Sequence, residues 1–226
     1  PYVIAEMGVN FYDTAKVMGI SPLEAAKLYI DEAAKVGIDC AKFQSYKANT
    51  IVSKNSPAYW DTTKETTKTQ YELFQKFDAF GAQEYKELCD YAHLRGMDFT
   101  STPFDYASAD YLEDMVDFYK ISSSDLSNLP FVKYIGGKGK PVYISVGASY
   151  LSEVDEAIRA LKESGCKDIV IFHCVLSYPS DPHNANLSVI QTLKKDFPDV
   201  RVGFSDHVAP DDTMMTLATA YLMGAE

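Results

Sequence analysis

Two lysines interrupt runs that are otherwise apolar and β-prone: Lys42 lies between Ala41 and Phe43, and Lys120 between Tyr119 and Ile121. Side chains alternate faces along a strand, so Lys42 shares a face with Gln44, and Lys120 with Ser122 and Ser124. An ammonium group taken out of water is costly unless an anion meets it. Either each lysine belongs to an internal ion pair that holds the fold, or both serve a bound anion. Two such lysines, with hydroxyls on neighbouring runs, favour the second reading. Hydroxyls recur where the runs end, at Ser101, Thr102, Ser122, Ser123, Ser145 and Ser205. With the lysines they suit a ligand rich in acceptor oxygens, such as a phosphate or carboxylate. A serine at a strand end also caps helices, so no single one is diagnostic. Glu6 adds a carboxylate, and His173, Asp206 and His207 add groups suited to acid–base work or to a metal.

Other patterns mislead. Gly136-Gly137-Lys138-Gly139-Lys140 looks like a phosphate loop but precedes a strand, at the end away from the hydroxyls, and reads as a turn leaving a helix. Asn186-Leu187-Ser188 fits a glycosylation sequon by chance. Cys174 follows His173 directly, so the two point to opposite faces of a strand and Cys174 reads as a buried thiol. His93 lies on a charged helical stretch and faces solvent.

The elements that must position these groups alternate along the chain. Strand-like runs are Tyr2–Met7, Cys40–Gln44, Asp98–Ser101, Phe118–Ser122, Val142–Val146, Ile169–Cys174 and Arg201–Phe204. Helical patterns are Pro22–Val36, Ala82–Arg95, Tyr106–Met115, Pro130–Gly136, Leu151–Ser164, Leu187–Asp196 and Asp212–Met223. Ser21-Pro22 marks a helix start, and Gly37, Gly96 and Gly165 mark helix ends. Strand–helix alternation predicts a parallel sheet with helical crossovers. No G-x-G-x-x-G follows the first strand, where the chain reads Glu6-Met7-Gly8-Val9-Asn10. Seven units in 226 residues fit a (β/α)8 TIM barrel, typically about 250 residues, cut before its eighth strand. The expectation is a single barrel domain over residues 1–226, its outward strand faces packed on helices and its lysines pointing inward. Tyr46 to roughly Phe80 breaks the rhythm: it is either a solvated, partly helical surface loop or a flap over the strand ends.

Composition excludes several classes. No apolar run reaches the roughly 18 residues of a membrane span. A net charge of −11 argues against general nucleic-acid binding. Four scattered cysteines, with no C-x-x-C pair, read as reduced thiols in a cytoplasm. With no initial Met and a last residue inside helical sequence, the chain reads as a fragment.

Taken in order, the strand-end strings are Ile4-Ala5-Glu6-Met7-Gly8-Val9-Asn10, Ala41-Lys42-Phe43-Gln44 and Ser101-Thr102-Pro103-Phe104-Asp105. Next come Tyr119-Lys120-Ile121 with Asp125-Leu126, His173-Cys174 with Tyr178-Pro179, and Gly203-Phe204-Ser205-Asp206-His207. This set resembles the catalytic barrel of the sialic acid synthase family, the bacterial nonulosonic acid synthases, and covers essentially the whole chain. The resemblance implies condensation of phosphoenolpyruvate with the open-chain aldehyde of an N-acetylated amino sugar, N-acetylmannosamine or a bacterial relative, with release of phosphate. It implies that Lys42, Thr102, Lys120, Ser123, Ser145 and Ser205 hold phosphoenolpyruvate, and that Gln44, Asp125 and Tyr178 surround the sugar. Glu6 matches a catalytic carboxylate, as acid or base. His207 matches one of two histidines that bind a divalent metal, Mn2+ or Mg2+. The resemblance further implies a homodimer and an antifreeze-like C-terminal domain, with the second metal histidine, beyond Glu226. The chain departs from the family where Asn10-Phe11-Tyr12-Asp13 replaces a usual Asn-His-Asn-Gly, where Val146 replaces a common Thr, and where Leu176 replaces an Asn near phosphoenolpyruvate. Two alternatives stand beside this reading: an aldolase with Lys120 or Lys42 as Schiff-base nucleophile, and a silent homologue that only binds an anionic sugar.

Overall fold

The computed structural model describes the whole chain, Pro1–Glu226, as two compact units. The first, Val3–Asp117, contains β1 (Ile4–Gly8), α1 (Phe11–Met18), α2 (Pro22–Lys35), β2 (Cys40–Ser45), α3 (Ala48–Ile51), α4 (Gln70–Gln75), α5 (Ala82–Leu94), β3 (Asp98–Pro103) and α6 (Tyr106–Leu112). Its sheet runs β1-β2-β3, all parallel. Parallel strands need crossovers, and local chemistry starts them. At α2, Ser21 Oγ accepts from Glu24 N–H while the Glu24 carboxylate accepts from Ser21 N–H, with Pro22 in the first turn. Thr69 and Glu72 form the same box at α4. Helix α1 has no such signal and is absent from the sequence reading. It is eight residues long, Asn10 makes no side-chain cap, and the buried side chains of Phe11 and Ala15 hold it. Phe43 anchors the core, its ring 5.9 Å from those of Phe11 and Phe99.

The second unit, Phe118–Glu226 with Pro1 and Tyr2, contains β4 (Tyr119–Ile121), α7 (Leu129–Gly136), β5 (Val142–Ser145), α8 (Leu151–Glu163), β6 (Ile169–His173), α9 (Val189–Asp196), β7 (Arg201–Phe204) and α10 (Met215–Leu222). Its strands run β4-β5-β6-β7, again parallel. Ile121, Ile144, Ile171 and Val202, one from each strand, are wholly buried. The glycine–lysine string lies between α7 and β5, as expected of a turn, with Gly139 at a φ of 75°. Helix α10 starts later than the sequence pattern suggests. Asp211 Oδ1 accepts from the N–H groups of Thr213 and Met214 and holds that stretch as a turn.

One expectation is corrected here. Ser124 does not share a strand face with Lys120, because β4 ends at Ile121 and the chain enters a 3-10 turn over Ser123–Asp125. Ser122 caps that turn, its Oγ accepting from Ser124 N–H at 3.3 Å, and Ser124 is exposed.

Gly203 shows how tightly β6 and β7 pack. It pairs with Phe172, and a Cβ at Gly203 would lie 2.7 Å from the Phe172 ring. That ring is itself flanked by Tyr143, 5.8 Å away, and by Lys120 Nζ, 5.6 Å away. Gly203→Ala is therefore expected to destabilise the fold by about 1–3 kcal/mol through overpacking. Urea unfolding monitored by fluorescence would measure it, and an unchanged midpoint would show that the ring yields without cost.

Candidate functional site

In the first unit, register gathers the polar side chains. Glu6 pairs with Lys42 and Lys42 with Thr100, while Gln44 pairs with Thr102 one step further along. The burial of β2 alternates accordingly: Ala41, Phe43 and Ser45 are buried, and Lys42 and Gln44 are only partly covered. Lys42 forms an ion pair with Glu6, and Gln44 Nε2 lies 3.4 Å from Glu6 Oε1. The lysine side chain is 12% exposed and the glutamate 38%, so the carboxylate is the more accessible partner.

Beneath this row, Ser45 Oγ and Ser101 Oγ are 2.7 Å apart, and Tyr85 Oη donates to the Gln44 carbonyl at 2.5 Å. Burial drives the Tyr85 phenol well above its usual range, so it stays a neutral donor. Gly8, at a φ of +52°, follows a β-bulge after Glu6. A Cβ there would lie 3.1 Å from Glu6 Oε1 and 3.5 Å from Gln44 Nε2, so only glycine leaves the pair undisturbed. Gly8, Thr100 and Tyr85 are not among the candidate site residues of the sequence reading. A glycine inside a strand pattern is a signal of close approach and points to Gly8; nothing local marks Tyr85.

In the second unit, Lys120 is buried, and its Nζ donates to Ser145 Oγ at 2.7 Å and to the Ile121 carbonyl at 2.8 Å. Burial lowers its pKa from the usual 10.5 to about 8, against a small opposing effect of Cys174. Ser123 and Asp125 lie on the 3-10 turn that follows β4. Asp125 Oδ2 is buried with no hydrogen-bond partner, and burial raises this carboxyl group's pKa although Asn128 and Ser124 bond to it.

Ser205 follows β7 directly, its N–H donating to the His173 carbonyl at 2.8 Å. His207 Nδ1 is 2.5 Å from the Val175 carbonyl, which can only accept, so Nδ1 is the donor of this bond. The Tyr178 ring, on a residue 75% exposed, stands 4.7 Å from the His207 ring, edge to face. Val146 is buried, whereas Leu176 is 69% exposed.

His173, a candidate for acid–base or metal chemistry, serves instead as a buried tie. Its Nε2 donates to the Ala185 carbonyl at 2.7 Å, and burial lowers its pKa. Cys174 is buried, as are the other three cysteines, and none is in a disulfide. His93 is half exposed and bonds to Asp117 Oδ2 at 3.2 Å. For a metal, His207 offers one donor of suitable chemistry, but no cluster of three or more His, Cys, Asp or Glu side chains stands ready to hold an ion. The residues present do not by themselves make a metal centre. No helix is long and apolar enough to cross a membrane.

Parallel strands, each followed by a helix and carrying polar side chains at their C-terminal ends, define the class of the (β/α) barrels, and this chain carries seven such units. Within that class the chain belongs to the NeuB family, whose family model matches residues 29–226. It is 37% identical over 207 residues to an uncharacterized protein of Methanocaldococcus jannaschii, covering 91% of this chain and 55% of that one. It is 36% identical over 211 residues to N,N'-diacetyllegionaminic acid synthase of Campylobacter jejuni, covering 91% of this chain and 60% of that one. The crystal structure of N-acetylneuraminic acid (sialic acid) synthetase from Leptospira borgpetersenii serovar Hardjo-bovis, in complex with citrate, matches with a TM-score of 0.84 at 30% identity, over 100% of this chain and 70% of that one. The chain thus spans a little over half the length of the curated relatives it matches.

Proposed function

We propose that this chain carries the catalytic barrel of a synthase that condenses phosphoenolpyruvate with an open-chain N-acetylated amino sugar, giving a nine-carbon sialic-acid-type acid and phosphate. Lys120 carries the reading. It is a buried ammonium whose hydrogen bonds to Ser145 Oγ and the Ile121 carbonyl are to uncharged groups. Such a cation is undersupplied with negative charge, and a polyanionic substrate would restore what burial removes. Lys42, Thr102, Ser123, Ser145 and Ser205 are the further phosphoenolpyruvate-binding residues in this proposal, and Gln44, Asp125 and Tyr178 those of the sugar. Membership of a family with nonulosonic acid synthases among its members supports it.

The chemistry divides into two steps. The enol carbon of phosphoenolpyruvate attacks the sugar aldehyde, forming the carbon–carbon bond while the aldehyde oxygen takes a proton. Water then adds to the cationic carbon that bears the phosphate, and the resulting adduct collapses to a ketone as the carbon–oxygen bond to phosphate breaks. Glu6, the ion-pair partner of Lys42, is in this proposal the group that accepts the water's proton. Holding both reactants in one geometry supplies much of the acceleration. A divalent ion, Mn2+ or Mg2+, would take His207 as one ligand and polarise the aldehyde; its other ligands would come from outside the side chains described above.

The test incubates the full-length protein with phosphoenolpyruvate, Mn2+ and a panel of N-acetylated hexosamines and follows phosphate. Release that depends on one sugar is expected. Saturable phosphoenolpyruvate binding without release for any sugar would leave only an anion-binding homologue. A second reading draws on the lowered pKa of Lys120, which suits an imine-forming lysine. Borohydride trapping of pyruvate on Lys120, without phosphate release, would establish an aldolase instead.

A further inference from the structure

The segment between β2 and α5 leaves and returns through one point. Lys47 Nζ donates to the carbonyls of Asp78 at 2.5 Å and Phe80 at 2.9 Å, with that of Ala79 at 3.5 Å. Ala48 N–H donates to Asp78 Oδ2 at 2.9 Å. Both ends of the loop are thus tied to each other by one cation and one carboxylate.

A third component comes from α1. The Tyr12 hydroxyl accepts from Phe80 N–H at 3.0 Å, and its ring lies 5.4 Å from that of Phe80 and 5.9 Å from that of Phe77. Phe11 stacks on Phe80 at 4.9 Å. Burial pushes the Tyr12 phenol up to about 12, so it is neutral wherever the protein works.

Between its tied ends the loop is packed against itself. Gln70 N–H bonds to the Ser56 carbonyl at 2.9 Å, Trp60 Nε1 to the Glu65 carbonyl at 3.2 Å, and Lys76 to the Glu65 carboxylate at 2.7 Å. The loop thus has joined ends and is packed by its own side chains. The neck also leads to Gln44: the Phe80 ring meets Tyr85 at 5.8 Å, and Tyr85 Oη holds the Gln44 carbonyl.

We infer that Tyr12 and Lys47 form the neck of a closed loop over residues 48–79, and that Tyr12 is a positioning residue which, through this neck, holds Gln44 where the acceptor sugar is bound. The second half of this statement rests on the synthase reading; the first does not.

Tyr12→Phe keeps the stacked ring and removes the acceptor of Phe80 N–H. Lys47→Met removes the clamp on three carbonyls, and Lys47→Arg restores donors in its place. By hydrogen-exchange mass spectrometry, Tyr12→Phe and Lys47→Met are expected to quicken exchange around Phe80 by about tenfold, the worth of one good hydrogen bond, and Lys47→Arg to return it towards wild type. In the full-length protein both opening variants should raise KM for the sugar about three- to tenfold while KM for phosphoenolpyruvate moves much less. Unchanged exchange in both variants would overturn the neck. Quickened exchange with no selective rise in the sugar's KM would overturn the positioning role. If no sugar is turned over by the wild type, the acceptor clause falls with the synthase reading, and exchange alone decides the neck.

Discussion

Replacing Lys120 with methionine is expected to abolish phosphate release and, at the same time, to make the protein more stable. The loss of activity follows from removing a cation proposed to neutralise phosphoenolpyruvate in a dry site, and should exceed 10³-fold, about 4 kcal/mol of transition-state binding. The gain in stability follows from the depressed pKa. The unfolded chain carries its ammonium in water up to about pH 10.5, whereas the folded chain releases the proton from about pH 8 upwards. Below pH 8 the folded state therefore bears a buried charge, at a cost of about 3 kcal/mol, and this cost is relieved as pH rises from about 8 to 10.5. Methionine is apolar, of similar length and free of the charge. It forfeits the bonds to Ser145 and to the Ile121 carbonyl, which return about 1–2 kcal/mol. A net gain of about 1–2 kcal/mol at pH 7 remains, or a rise in Tm of about 2–8 °C for a chain of this size. The advantage should shrink as pH climbs from 8 towards 10.5. A variant less stable than wild type at pH 7, or a difference that ignores pH, would show that the ammonium is already well compensated in the folded protein. The wild type's kcat/KM for phosphoenolpyruvate should likewise fall as pH rises through about 8, where the free protein loses that charge.

The alternation of strand and helix was plain in the sequence because it is written in local chemistry. Ser21, Pro22 and Glu24 start α2 by themselves, and β2 shows its two faces through Lys42 and Gln44 set between Ala41, Phe43 and Ser45. The same alternation puts Glu6, Lys42, Gln44 and Thr102 on one face of the sheet once parallel register is granted. What was hidden depends on partners far along the chain. Helix α1 has no cap to announce it and is held by Phe11 against Phe43 and Phe80. The departure of Phe11 and Tyr12 from the family's usual polar residues has a physical account that no local pattern carries: both rings pack at the neck of a loop whose other side, at Phe80, lies 68 residues beyond Tyr12. His173 misled because a strand-end histidine looks alike whether it meets a ligand or, as here, a carbonyl of the same chain. Ser124 misled because alternation was carried past the end of a three-residue strand.

Glu6→Gln separates a catalytic carboxylate from a merely structural one. Glutamine keeps the length of the side chain and an oxygen facing Lys42 but has no charge and no useful basicity, so general-base catalysis should be lost and kcat should fall by about 10²–10⁴. Binding should move the other way. In the unliganded protein Lys42 is engaged by the Glu6 carboxylate, and a substrate anion that draws on Lys42 must share it with that partner. With the carboxylate neutralised, the ammonium offers its charge to the ligand, and the Kd for phosphoenolpyruvate should drop by a few-fold, the worth of about 1 kcal/mol in a partly buried pair. Isothermal titration of phosphoenolpyruvate into both proteins, with single-turnover phosphate release, reads the two effects apart. Were Glu6 only an anchor for Lys42, its loss would loosen the lysine and weaken phosphoenolpyruvate binding, leaving the chemical step close to wild type. Lower kcat with tighter binding instead marks a group whose charge opposes the substrate in the ground state and serves it only as the proton moves.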